Sequence, residues 1–149
     1  MRILLLAPSG AFAEALAALA LGEDNRQDQT VVVFATSTDA SGATQEIRLG
    51  PKAAPSSGQL ARALNSSVIG RNAKRLSPLD GGHRFARVAS RSMAFRSAAE
   101  TSDVIIGLER DSILAAWTAL NRWASPYSRA VYGLAPGAAV LASMRSASN

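Results

Sequence analysis

Two short polar runs follow apolar runs and hold the groups best placed to do chemistry: Pro8-Ser9-Gly10 after Arg2 to Ala7, and Glu109-Arg110-Asp111 after Asp103 to Leu108. At the first, backbone amides entering a following helix can hold an anion, because the opening N–H groups of a helix lack intrahelical partners. The second sets a guanidinium between two carboxylates. Each also has a plainer reading, Pro8 to Gly10 as a tight turn and Asp111 as a helix cap. A third constellation is basic. Residues 48 to 96 hold ten Lys and Arg against the single acid Asp80, although the whole chain is only +5. Within that block Arg84, Arg87 and Arg91 fall within about 60° on a helical wheel, beside an apolar face of Phe85, Val88, Phe95 and Ala99.

Several sharper chemistries are absent from the chain. It has no cysteine, so disulfides, thiolate metal sites and thiol nucleophiles are excluded. Only Gly10 stands where a dinucleotide fingerprint needs three glycines, and no G-x-x-x-x-G-K-S/T occurs, so no nicotinamide, flavin or P-loop nucleotide cofactor is expected. His83 has no second histidine with which to bind a metal, and it reads as a surface residue. Ser9 lacks the G-x-S-x-G elbow of a hydrolase nucleophile. The basic block has no Tyr or Trp for base stacking, which disfavours nucleic acid as a partner.

These groups need a scaffold. A chain of 149 residues with 48% apolar and 18% charged residues fits one globular domain, expected over residues 1 to 144 with a flexible tail at 145 to 149. Ile3 to Ala7 and Val31 to Phe34 are apolar at every residue and so need cover on both faces, as strands of a parallel sheet do. Ala11 to Leu21 carries Phe12, Leu16 and Leu19 at helical spacing, with Gly22 as its expected C-cap. Ala43 to Leu49 reads as an edge strand, Gln59 to Lys74 as a helix, and Arg84 to Ala99 as a second basic helix set off by Gly81-Gly82. Asp103 to Leu108 is a further buried strand. Asp111 or Ser112 then caps a helix with Ile113, Trp117 and Leu120 on one stripe, which places Trp117 in the core. Ala130 to Tyr132 is a last short strand.

This order predicts an α/β fold: a single doubly wound, mostly parallel, Rossmann-like sheet with helices on both faces. Ligands of such sheets bind beyond the carboxyl ends of the strands, which selects Pro8, Ser9, Gly10, Glu109, Arg110 and Asp111 as the cleft rim. Met1 to Gly22 imitates a secretory signal, but Pro8-Ser9-Gly10 and Glu14 interrupt its apolar run. No window reaches the roughly 18 apolar residues of a membrane span. The expectation is a cytoplasmic protein, placed at the inner face of a membrane if Arg84, Arg87 and Arg91 dock on anionic lipid.

The run Asp103-Val104-Ile105-Ile106-Gly107-Leu108-Glu109, the helix Leu114 to Arg122, the strand Ala130-Val131-Tyr132-Gly133 and the opening Met1 to Leu6 together resemble the N-terminal, acceptor-side domain of two-domain GT-B type glycosyltransferases. The resemblance implies a Rossmann-like domain that supplies the acceptor side of a cleft and docks on membranes through basic helices. It differs from that pattern in its single glycine at the first loop and in having Gly107, Leu108 and Glu109 where a histidine is expected. The donor-nucleotide domain has no place in 149 residues, so sugar transfer by this chain alone is not expected; a second α/β domain would be missing, and whether the chain is an enzyme stays open. The competing class is a non-enzymatic α/β binding module whose basic amphipathic helices recruit an anionic membrane or a polyanionic partner.

Overall fold

The computed structural model describes residues 1–21, 28–36, 42–54 and 80–147. Five parallel strands form one sheet in the order β3-β2-β1-β4-β5: β1 (Arg2–Leu6), β2 (Gln29–Phe34), β3 (Gln45–Arg48), β4 (Val104–Gly107) and β5 (Arg129–Tyr132). The three apolar runs occupy the centre. Leu4 of β1 stands level with Val31 of β2 and Ile105 of β4, so the middle row of the central strands is apolar. Ala43 to Leu49 contributes β3, paired only to β2 and therefore an edge, as the alternation of Ile47 and Leu49 predicts. From β1 the chain steps outward to β2 and β3, then crosses back to β4 on the other side of β1. That reversal is the topological switch point, flanked by the loops after β1 and β4, beyond which ligands of doubly wound sheets bind.

Helices cover both faces, as the doubly wound reading requires. On one face α1 (Ala13–Ala18) and α5 (Leu134–Ala147) pack Phe12, Leu16, Leu19 and Leu141 against Ile3, Leu5, Val32 and Ile106. On the other α2 (Gly81–Ala89), α3 (Met93–Glu100) and α4 (Ile113–Arg122) pack Phe85, Phe95 and six alanines against Leu4, Leu6, Val33 and Ile105. Each fully buried Leu, Ile or Phe contributes roughly 1.5–3 kcal/mol, so the alternating side chains of β1 anchor both layers at once.

Several expected elements change on folding. The basic helix expected over Arg84 to Ala99 is two helices. The chain turns at Ser90 to Ser92, and Ser92 caps α3 by accepting a hydrogen bond from the Phe95 N–H at 3.3 Å. Gly81-Gly82 does not set the helix off but forms its first turn. Neither Asp111 nor Ser112 caps α4 with its side chain; a 3-10 turn over Arg110–Ser112 leads in, and the Ser112 hydroxyl bonds back to the Glu109 carbonyl at 2.5 Å. The stripe expected to bury Trp117 is instead the outer face of α4, with Ile113 43% and Trp117 60% exposed. Ala115, Ala116 and Ala119 face inward, because small side chains let α4 lie close against α2 and β4. The first helix closes before Gly22, which lies outside the described residues. Ala20 takes the left-handed conformation (φ 50°), its N–H bonds to Ala17 O, and the Leu21 N–H bonds to Leu16 O, the paired bonds of a Schellman ending. Finally, α5 continues past residue 144 to Ala147, and Arg145 forms an ion pair with Asp28 at 2.9 Å where a tail was expected. The helix expected over Gln59 to Lys74 also lies outside the described residues.

No helix among the described residues is long and apolar enough to cross a membrane.

Candidate functional site

The crevice is built by two turns that strand endings force into place. At the end of β1, Ala7 donates to Val33 O and its own carbonyl accepts from the Gly10 N–H at 3.0 Å, closing a four-residue turn over Pro8 and Ser9. Gly10 sits at φ 86°, a conformation that a side chain disfavours, so the glycine is required there. Pro8 is buried and its carbonyl ties the turn to Ala35. Ser9 is left exposed at the tip.

At the end of β4 the backbone passes Gly107, where a Cβ would stand 2.7 Å from the Ser112 Oγ. Leu108 still bonds to Leu6 O in sheet register. The chain then rises to Glu109, held from behind by the buried Ser112, whose hydroxyl and N–H both donate to the Glu109 carbonyl.

The two turns meet. The Ser9 N–H donates to the Glu109 carboxylate at 3.1 Å (Oε1) and 3.2 Å (Oε2), the Ser9 hydroxyl donates to Oε1, and the Ala11 N–H donates to the Ser9 Oγ at 3.2 Å. The crevice amide that sequence reasoning offered to an external anion is thus occupied by the protein's own carboxylate. The donor is also different from the one expected. α1 starts only at Ala13 and is too short to present an anion-binding N-terminus, so the turn amide of Ser9 takes that part.

Asp111 repeats this arrangement two residues on. A Cβ on Gly81 would collide with the Asp111 carboxylate, and one on Gly82 would lie 3.5 Å from the Asp111 carbonyl oxygen. The carboxylate therefore rests on the first turn of α2, where the unpaired N–H groups and the helix dipole favour negative charge. Among the six expected rim residues, Ser9 and Glu109 are in direct contact, Gly10 and Pro8 shape the turn beneath them, Asp111 faces α2, and Arg110 is exposed on the 3-10 turn. Sequence reasoning missed Gly81, Gly107 and Ser112. The adjacent glycines Gly81-Gly82 were the available signal, since two glycines in a helical first turn mark a close approach as readily as a break.

A half-buried carboxylate with lone pairs to spare on Oε2 can accept a hydrogen bond from a ligand hydroxyl or amine, and its charge repels phosphate. Among the described residues no three His, Cys, Asp or Glu are grouped so as to hold a metal.

The basic residues behave differently from one another. Phe85, Ala86 and Ala89 bury the inner face of α2, leaving Arg87 and Arg91 exposed and Arg84 half-buried on the outside. None of the three makes an ion pair among the described residues. The 3-10 turn Pro51–Ala53, with exposed Lys52, packs beside α2. Arg96 is already engaged: its Nε donates to Ser90 O at 2.7 Å and its guanidinium lies 5.6 Å over the Trp123 ring, which meets Phe95 edge-on. Comparison of the chain with protein-family profiles, curated proteins and solved structures finds no match to any of the three.

Proposed function

We propose that this chain is the acceptor-side domain of a glycosyltransferase-like protein and that the crevice between β1 and β4 receives a neutral, hydroxyl-bearing acceptor. One observation carries this reading: the Glu109 carboxylate fills the anion position of the crevice through Ser9. With that carboxylate in place, a pyrophosphate is opposed by like charge, whereas a sugar hydroxyl finds an acceptor oxygen and is oriented by it. On this reading the nucleotide donor is held elsewhere, and the domain's part is to bind and align. Amide NMR spectra recorded during titration test it. Methyl glycosides should shift the Ser9, Gly10, Glu109 and Arg110 signals while uridine diphosphate leaves them unmoved; the reverse pattern would overturn the proposal.

A second reading is favoured by the outer face of α2 and the turn after it, where Arg84, Arg87 and Arg91 stand without ion pairs among the described residues. Such a face suits an anionic lipid surface. Because Phe85 and Phe95 are fully buried, docking here is electrostatic without apolar insertion, contributing about 1 kcal/mol per basic residue and weakening within the Debye screening of added salt. Vesicles containing phosphatidylserine should sediment the protein at low salt and lose it at high salt, and changing all three arginines to Ala should abolish the effect. Binding that survives salt, or survives the triple change, argues against this surface.

A further inference from the structure

At the opposite end of the sheet, under α3, the amino ends of β1, β2 and β3 enclose an open cavity of about 320 Å³. Its polar lining comes from Arg2, Gln29, Gln45, Ser97, Thr101 and Ser102, with Ile3, Val31 and two alanines as its floor and wall. The register explains the grouping. Arg2 is level with Gln29, and Gln45 is level with Val31, so alternate residues of three neighbouring strands point to the same face beneath one helix.

The bonding pattern leaves donors uncommitted. The Arg2 Nε donates to Gln29 Oε1 at 3.0 Å, which orients the exposed guanidinium toward the cavity's edge, while no hydrogen bond or ion pair among the described residues engages its Nη groups. Asp103 accepts from the Arg2 backbone N–H at 2.7 Å rather than from the side chain. Among the described residues no carboxylate lines the cavity. The hydroxyls of Thr101 and Ser102 donate to α3 carbonyls, leaving their lone pairs toward other donors. An oriented guanidinium fork, two amide side chains and a serine hydroxyl, with no opposing acid among the described residues, form the donor set that carboxylates and phosphates select.

We infer that this cavity is a binding site for the oxyanion group of a small molecule, held by Arg2 with Gln29, Gln45 and Ser97. The site stands about 16 Å from Ala7, five residues along β1 at roughly 3.3 Å per residue and just before the Ser9 turn, and does not rest on the acceptor reading of the crevice. A volume of 320 Å³ is at the lower end of the range for small-molecule pockets, which limits the ligand to a compact metabolite.

The test is an NMR titration of the intact chain with sodium acetate and, separately, inorganic phosphate at constant ionic strength. Saturable shifts at the Gln29 and Gln45 side-chain amides and at the Ser97 and Thr101 backbone amides are expected with at least one of the two anions. Response to acetate alone marks a planar carboxylate site, and response to phosphate marks a tetrahedral one. Arg2→Gln should weaken the saturable response by about tenfold, as loss of a charged hydrogen-bonding partner does. Ser97→Leu, which fills the cavity from α3 and leaves Arg2 intact, should abolish it. Absence of saturation with both anions, or saturation unchanged by either substitution in a protein that keeps its wild-type melting temperature, overturns the inference. Ser9 and Glu109 report on the crevice in the same spectra, so failure at one end of the sheet is read separately from failure at the other.

Discussion

The two ends of the sheet treat charge in opposite ways. At the carboxyl end, Glu109 and Asp111 bring carboxylates onto the Ser9 amide and the first turn of α2, so positions that would attract an anion are filled from within. At the amino end, Arg2 bonds to Gln29 and its remaining donors lie at a cavity that no acid lines among the described residues. Formal charge in the sequence does not distinguish the two. What separates them is which donors the fold has already satisfied, and that depends on loops 100 residues apart meeting at a switch point.

This difference can be broken from either end, and denaturant unfolding of single variants measures it. The largest effect is expected at Gly107→Ala. The added Cβ meets the buried Ser112 Oγ at 2.7 Å and must displace the residue that holds Glu109 from behind, at a cost of about 2 kcal/mol. Glu109→Ala removes the bonds to Ser9 without adding bulk and should cost about 1 to 2 kcal/mol, since these are charged hydrogen bonds at a half-exposed site. At the amino end the sign reverses for Ala20→Gly. Relieving the left-handed alanine at the close of α1 should stabilise the protein by about 0.5 to 1 kcal/mol despite the added freedom of the unfolded chain. The smallest effect is Arg2→Gln, within about 0.5 kcal/mol, because the guanidinium serves the cavity more than the fold. A large loss at Arg2, or none at Gly107, would erase the contrast between the ends.

The parts of this arrangement that were legible in the sequence are those set by local pattern. Ile3 to Leu6 of β1, Val31 to Phe34 of β2 and the whole of β4 are runs with no polar residue, which only a sheet covered on both faces accommodates, and their spacing fixes the doubly wound order. That order in turn places Ser9 and Glu109 at strand ends beside the switch point. Their direct contact was not legible, because no periodicity records which way a turn's amide points. Local pattern also misassigned α4. Ile113, Trp117 and Leu120 make the more apolar stripe, yet the alanine face is buried, because the closeness of α2 selects small residues over large ones. The break at Ser90 to Ser92 was hidden for a similar reason: serine reads as a mild helix residue until its side chain finds the Phe95 N–H. The glycines at 81 and 82 read as punctuation, when their lack of side chains admits Asp111.

On the proposed reading, Glu109 occupies the crevice's anion position and thereby favours a neutral ligand. The most direct measurement follows the Ser9 and Gly10 amide signals during titration with inorganic phosphate, in the wild-type protein and in Glu109→Ala. Unmoved signals in the wild type and saturable shifts in Glu109→Ala are predicted, because removing the carboxylate frees the amide for an external anion. Phosphate binding at Ser9 in the wild type, or none in a folded Glu109→Ala, would contradict it.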